Sequence, residues 1–281
     1  MTESTHPTTG VAAGVPFLAV PPPGGGRPDS PVVVAWHLMD PPRTEAAMSA
    51  ALPLDGLQAW RLYFGLPLAG SRMPAGGPEE LNRLAFEDAV MNLHGPVVAQ
   101  AAAEFPAAFE ELRSRFGFGA GSLGLLGGSA GAAVAATVLA ETEDLAVSAA
   151  VLVSPLLQLR PLVDAISRHY EMTYQWSVAS ESVAARIDFV ARADEIAEHS
   201  EPAVLLVVGG NDFPDGILAP AERLRAALTS RYADPSRIAL TTMPGMAHAL
   251  AEEPGMEPAP QTAQAAEVDR LAVDWLRRHL T

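Results

Sequence analysis

The 281-residue chain is 49% hydrophobic, with 25 prolines, 23 glycines and no cysteine, so it can bury a large core while disulfides, thiolate zinc sites and a cysteine nucleophile are excluded. Its net charge of −15 and the lack of a basic stripe argue against a nucleic-acid partner; the longest basic cluster, Arg277 and Arg278 beside His279, falls in the last helix, where cations complement the macrodipole. Residues 1–16 lack a basic start and a continuous apolar stretch, and no run approaches the ~18 apolar residues of a membrane span, so a soluble cytoplasmic protein is expected.

In chain order, residues 1–10 are polar and expected to fray. Apolar runs at 15–20 and 32–36 read as strands joined by the turn-rich PPPGGGRPDSP, and 60–66 is a third. Residues 79–116 follow a helical pattern that Gly95-Pro96 and Pro106 are expected to interrupt. A short apolar run at 122–126 leads without a loop into an alanine-rich helix over 132–139. Strands follow at 148–153, 203–208 and 238–242, with helices at 219–230 and 261–280. Strands alternating with helices imply one α/β domain, built on a mostly parallel sheet flanked by helices on both faces.

Residues 158–200 depart from this rhythm. Tyr170, Met172, Tyr174 and Trp176 occupy every second position, followed by a polar helical pattern through 184–197. Two readings stay open: a surface hairpin or extended edge with one buried face, or a small lid whose aromatics wall a substrate pocket.

Gly127-Gly128-Ser129-Ala130-Gly131 fits G-x-S-x-G, in which a serine occupies a strained turn from strand to helix and exposes its hydroxyl above the sheet. The flanks agree, strand-like before and helical after. The plain alternative is a glycine-rich helix start with an incidental serine N-cap. Gly119, Gly121 and Gly124 satisfy the dinucleotide pattern G-x-G-x-x-G, but that motif should follow a strand and these precede one.

With these residues the sequence resembles the α/β-hydrolase family of serine esterases and lipases, from the strand at 32–36 to the last helix. The resemblance implies the α/β-hydrolase fold over residues 1–281, with 158–200 as a lid insertion, and a nucleophile, an acid and a histidine in that chain order. His248, in Pro244-Gly245-Met246-Ala247-His248, follows the final strand as the family's G-x-x-H does. The other histidines read differently: His6 lies in the tail, His37 follows the strand at 32–36, His94 begins a helix break, His169 and His199 flank the lid, and His279 is in the last helix turn. Gly209 to Asp212 is similar to the family's G-x-x-D, which makes Asp212 the first candidate acid, with Asp215 and Asp164 as alternatives.

The family also implies an oxyanion hole built from the amide after the nucleophile, Ala130, and a second amide from the loop after the strand at 32–36. That loop is commonly marked His-Gly; here it reads His37-Leu38-Met39-Asp40, so Leu38 replaces the glycine and Leu38 or Met39 supplies the donor. His37, Met39, Tyr174 and Trp176 are the expected substrate contacts, and the apolar lining favours small or medium acyl esters. The implied activity is a carboxylesterase acting through an acyl-enzyme on Ser129, with no metal or organic cofactor and a small-molecule ester as its partner. The same triad serves thioesters, lactones, carbamates, peptides and acyl transfer, and an idle member of the fold would be a binding protein. Nothing in the sequence sets the oligomeric state.

Overall fold

The structure, a computed structural model, describes residues 6–142 and 145–280, apart from the side chains of residues 199 and 200. The side chain of His199, expected at a flank of the lid, and residues 1–5 of the expected tail therefore lie outside the described part. Among the described residues no helix is long and apolar enough to cross a membrane.

The first strand pair is an antiparallel ribbon of β1 (Thr8–Ala12) and β2 (Val15–Val20), closed by Ala13 and Gly14, both at positive φ. That pair of dihedrals suits the twist of a two-residue hairpin. The fraying expected through residue 10 is thus corrected: from Thr8 the chain is a strand. Its side chains are largely exposed and its hold is main-chain pairing, with the Ala13 N–H donating to the Glu111 carboxylate at 2.6 Å.

Six parallel strands complete the sheet: β3 (Val32–Trp36), β4 (Trp60–Phe64), β5 (Leu123–Gly128), β6 (Val147–Val153), β7 (Ala203–Gly209) and β8 (Ile238–Met243), in the order β1-β2-β4-β3-β5-β6-β7-β8. Every residue of β3 and β7 is buried, because successive side chains feed opposite cores. Val34 and Trp36 of β3 and Leu206 and Val208 of β7 enter one core. Val33 and Ala35, with Leu205 and Val207, enter the other.

Helix α1 (Glu45–Ala51) and the last helix, α9 (Ala263–His279), cover the second core through Met48, Val268, Ala272 and Leu276. The first core lies beneath α3 (Gly95–Phe116), α4 (Ala130–Glu141), α7 (Ala193–Ser200) and α8 (Ala219–Thr229). Helix α4 is buried from Ala130 to Ala140, since its small side chains let it lie between the sheet and the surrounding helices.

Neither expected helix break falls where the sequence places it. Helix α2 (Gly77–Asp88) ends where Asp88 turns extended, at φ −161° and ψ 94°, and from there a wide π turn at Ala89–His94 runs through His94 and Gly95, both helical, into α3, whose first turn accepts Pro96 because a missing N–H costs nothing there. Pro106 sits inside α3 on its exposed side and the helix runs through it.

Between β6 and β7 the chain forms α5 (Leu159–His169), α6 (Val178–Arg186) and α7, of which α7 packs on α4 and α8. No strand forms at 170–176. Tyr170 and Met172 are exposed, whereas Tyr174 and Trp176 are half-buried against the first core. Helix α5 packs on two π turns, Ala89–His94 and Pro214–Leu218.

Candidate active site

Ser129 joins β5 to α4 at φ 50° and ψ −115°, a backbone state disfavoured for a residue with a side chain. Close approach of bare backbone holds it there. A Cβ on Gly127 would lie 2.3 Å from the Gly131 carbonyl oxygen, and one on Gly131 would lie 2.4 Å from that of His37. The strand, the turn and the end of β3 touch through glycine, which is the physical reason for the glycines around the serine. The Ser129 N–H donates to Val153 O at 2.9 Å, tying the turn to β6.

The loops after β7 and β8 are stitched together in the same manner. The N–H groups of Gly210 and Asn211 donate to the carbonyls of Met243 and Met246 at 2.8 and 2.9 Å, and a Cβ on Gly209 would lie 2.3 Å from Met246 O. This brings Asp212 under His248. The His248 Nδ1 lies 3.0 and 2.9 Å from the two Asp212 carboxylate oxygens, and its Nε2 lies 2.8 Å from Ser129 Oγ. A carboxylate only accepts, so Nδ1 carries the proton and the Nε2 lone pair faces the serine hydroxyl. The Asp212 side chain is wholly enclosed and also accepts the Phe213 N–H at 2.8 Å.

Burial opposes the His248 imidazolium, but the hydrogen bond and charge of Asp212, joined by the charge of Asp40, outweigh it and raise the pKa above its ordinary value. The alternative acids lie elsewhere. Asp215 is exposed and pairs with Arg168 at 2.7 Å; Asp164 accepts the Trp176 indole N–H at 3.2 Å.

The loop leaving β3 places its residues differently from the expectation for His37. That side chain is buried; its Nδ1–H donates to Leu38 O at 2.5 Å and its Nε2 accepts the Leu66 N–H at 3.0 Å. With both ring nitrogens held by main chain, His37 pins the loop to the end of β4 instead of facing a substrate. Leu38 packs on the turn itself, for a Cβ on Gly128 would fall 2.2 Å from its Cδ1. Among the described residues no acceptor engages the N–H of Leu38 or Met39, and Ala130, as the first residue of α4, has no intrahelical acceptor. Met39 is half-buried against the first core.

Tyr174 and Trp176 anchor the segment before α6. The Tyr174 hydroxyl donates to Asp88 at 2.5 Å, and the Arg160 guanidinium stacks over Trp176 at 4.1 Å. Among the described residues, no hydrogen bond or ring contact joins either to Ser129, His248 or Asp212.

Sequence reasoning passed over Asp40, two residues beyond Leu38, whose Oδ2 lies 3.7 Å from His248 Nε2. It took His94 only as a helix break; its Nδ1 is enclosed without a hydrogen-bond partner, and burial lowers its pKa to about 4 against the pull of Asp40. The signal for Asp40 was its place on the loop that follows β3.

The sheet order, with its antiparallel first pair and a serine at the β5–α4 turn, is the α/β-hydrolase fold. Solved structures share it along nearly the whole chain. TT1662 from Thermus thermophilus is 20% identical with a TM-score of 0.64, over 99% of this chain and 98% of that one. A puromycin-hydrolyzing peptidase from Mycobacterium tuberculosis is 18% identical with a TM-score of 0.65, over 98% of this chain but 40% of that longer one. Carboxyl esterase 2 from the mycorrhizal fungus Tuber melanosporum is 15% identical with a TM-score of 0.58, over 98% and 87%. No family model matches the sequence, and no curated protein does.

Proposed function

We propose that the chain is a serine hydrolase of the carboxylesterase type, with Ser129 as nucleophile, His248 as general base and acid, and Asp212 as the residue that orients the imidazole. The observation that carries this reading is the continuous line of contacts from the Asp212 carboxylate through Nδ1 and Nε2 of His248 to Ser129 Oγ, the last at 2.8 Å.

A serine hydroxyl is a weak nucleophile until a base accepts its proton. As Oγ attacks the ester carbonyl, that proton passes to Nε2, and the imidazolium is stabilised by Asp212 below it. The carbonyl oxygen, now negative, takes hydrogen bonds from the Ala130 N–H and an amide of Leu38 or Met39. The C–O bond to the alcohol breaks, and Nε2 returns the proton to the departing oxygen. Water then gives a proton to His248 and attacks the acyl-enzyme, which releases the carboxylic acid and restores Ser129. Small or medium acyl groups suit a site in which Leu38 packs on the turn beside the serine.

Treatment with a fluorophosphonate followed by peptide mass spectrometry tests the assignment. The adduct is expected on Ser129, and Ser129→Ala abolishes both labelling and the hydrolysis of p-nitrophenyl acetate. Hydrolysis undiminished in Ser129→Ala, with no label on Ser129, would leave a binding protein of the same fold.

A further inference from the structure

Among the described residues, the Asp40 carboxylate is a charged group near His248 Nε2 to which the proposed reaction assigns no step. Its Oδ2 stands 3.7 Å from that nitrogen and its side chain is 52% exposed. Among the described residues it has no hydrogen bond, and its ion-pair contact is with the His248 ring, which carries charge only when protonated. The chain has no lysine, and none of its 18 arginines pairs with Asp40. Arg43, three residues on, is engaged by Glu253 at 2.5 Å and by the carbonyls of Met39 and Pro254 at 3.0 and 2.7 Å. A half-exposed carboxylate left unpaired beside a reactive imidazole is a free negative charge directed at whatever occupies the site.

Its position says which part of the substrate meets it. Nε2 is the atom that hands the proton to the departing oxygen, so that oxygen comes within hydrogen-bond reach of Nε2, about 3 Å. A carboxylate oxygen 3.7 Å from the same nitrogen then lies no more than about 7 Å from the leaving oxygen, a span that an ammonium two or three bonds from that oxygen bridges. It sits on the far side of the imidazole from Asp212, which contacts Nδ1. The other titratable ring that feels its charge, His94, has its pKa lowered to about 4 and is neutral near pH 7, so it does not cancel the carboxylate. The net charge of −15 adds a field of the same sign.

We propose, resting on the serine-hydrolase reading, that Asp40 sets specificity for esters whose leaving alcohol carries a cationic group, an ammonium two or three bonds from the ester oxygen. The acyl group passes to Ser129 Oγ, the Ser129 proton passes through His248 to the alcohol oxygen, and the ammonium alcohol departs with its charge unchanged. Asp40 takes no proton in the cycle; it attracts the cation and repels an anionic leaving group.

The test compares three acetyl esters that differ in leaving-group charge: those of 2-(trimethylammonio)ethanol, of its neutral isostere 3,3-dimethylbutan-1-ol, and of 3-hydroxypropanoate, with acid release followed by pH-stat. The wild-type kcat/KM is expected to favour the cationic over the neutral ester by about tenfold or more, equivalent to about 1.4 kcal/mol, and the anionic ester to be slowest. In D40N that ratio is expected to collapse toward one; D40E restores part of it, and raised salt lowers it in the wild type. The ratio is the readout, so a general loss of rate in D40N does not decide the matter. A wild-type ratio near one, a ratio that survives in D40N, or no turnover of the cationic ester overturns the proposal. If Ser129 takes the fluorophosphonate while the ratio stays at one, only the role of Asp40 fails; if no ester is turned over and Ser129 is unlabelled, the hydrolase reading fails with it.

Discussion

Gly131 meets the exit of β3 so closely that a Cβ there would lie 2.4 Å from the His37 carbonyl oxygen and 2.5 Å from that of Trp36. Both obstacles are main chain and cannot swing aside. Gly131→Ala must therefore push the first turn of α4 away from β3, at a cost of about 2–4 kcal/mol in urea unfolding. On the proposed reading the same movement displaces the Ala130 amide from the loop at 37–39, so ester hydrolysis is expected to fall even in the fraction that remains folded. An alanine at 131 that leaves both quantities unchanged would contradict the clamp.

The strain at Ser129 gives an opposite expectation for stability. Its φ of 50° with ψ −115° is a conformation glycine adopts freely and a side chain does not. Ser129→Gly is expected to raise the unfolding free energy by up to about 1 kcal/mol, while Ser129→Ala, which keeps its Cβ, does not. If Ser129 is the nucleophile as proposed, both are expected to lose turnover by roughly 10⁴-fold or more. Thermal unfolding of the two variants side by side separates strain from chemistry.

The pH profile follows from the groups around His248. Ser129 Oγ faces Nε2, Asp212 holds Nδ1, Asp40 stands at 3.7 Å, and His94, which feels the Asp40 charge, stays neutral. Burial lowers the pKa of His248, yet the two carboxylates raise it on balance. On the proposed reading only the neutral imidazole takes the serine proton, so activity is expected to rise with pH through a point above the ordinary imidazole value. D40N removes one of the charges that favour the imidazolium and moves the acid limb of kcat/KM to lower pH. A limb that stays in place on p-nitrophenyl acetate would show that Asp40 exerts no charge on the imidazole.

The strands β3, β5, β6 and β7 were legible because each is a largely apolar run serving two cores at once, so its composition alone announces it. β1 was not, since TTGVA shows exposed side chains and is held by main-chain bonds that leave no mark on residue type. The alternation from Tyr170 to Trp176 was legible as a pattern but not as a structure: two of those side chains are exposed and two anchor an irregular segment through Asp88 and Arg160. In the site, Ser129 could be singled out because it directly follows β5, and Asp212 and His248 because they lie in the loops that leave β7 and β8. His37 looked like a pocket residue because its partners are the backbone of Leu38 and Leu66, and backbone contacts have no sequence signature. Asp40 came into view only when the loops after β3 and β8 were placed side by side.

His37 also gives the protein a predictable weakness in acid. The ring is 1% exposed, its Nδ1–H donates to Leu38 O and its Nε2 must stay unprotonated to accept the Leu66 N–H. Burial lowers its pKa from 6.5 to about 4, against a smaller opposing effect of the Leu38 carbonyl. The unfolded chain therefore takes up a proton before the folded one does. Stability from this group is complete above pH 6.5 and is lost as pH falls from there to about 4, by about 3 kcal/mol for a shift of this size. The half-buried His94, lowered to about 4 for the same reason, adds a smaller loss over the same window. His37→Gln keeps an acceptor for Leu66 without a titrating ring. It is expected to be less stable than the wild type at pH 7 but to lose less on acidification, because only His94 and the carboxylates remain to respond. Urea unfolding at pH 7 and pH 4.5 measures the difference; an equal loss in both proteins would show that His37 does not carry the acid sensitivity.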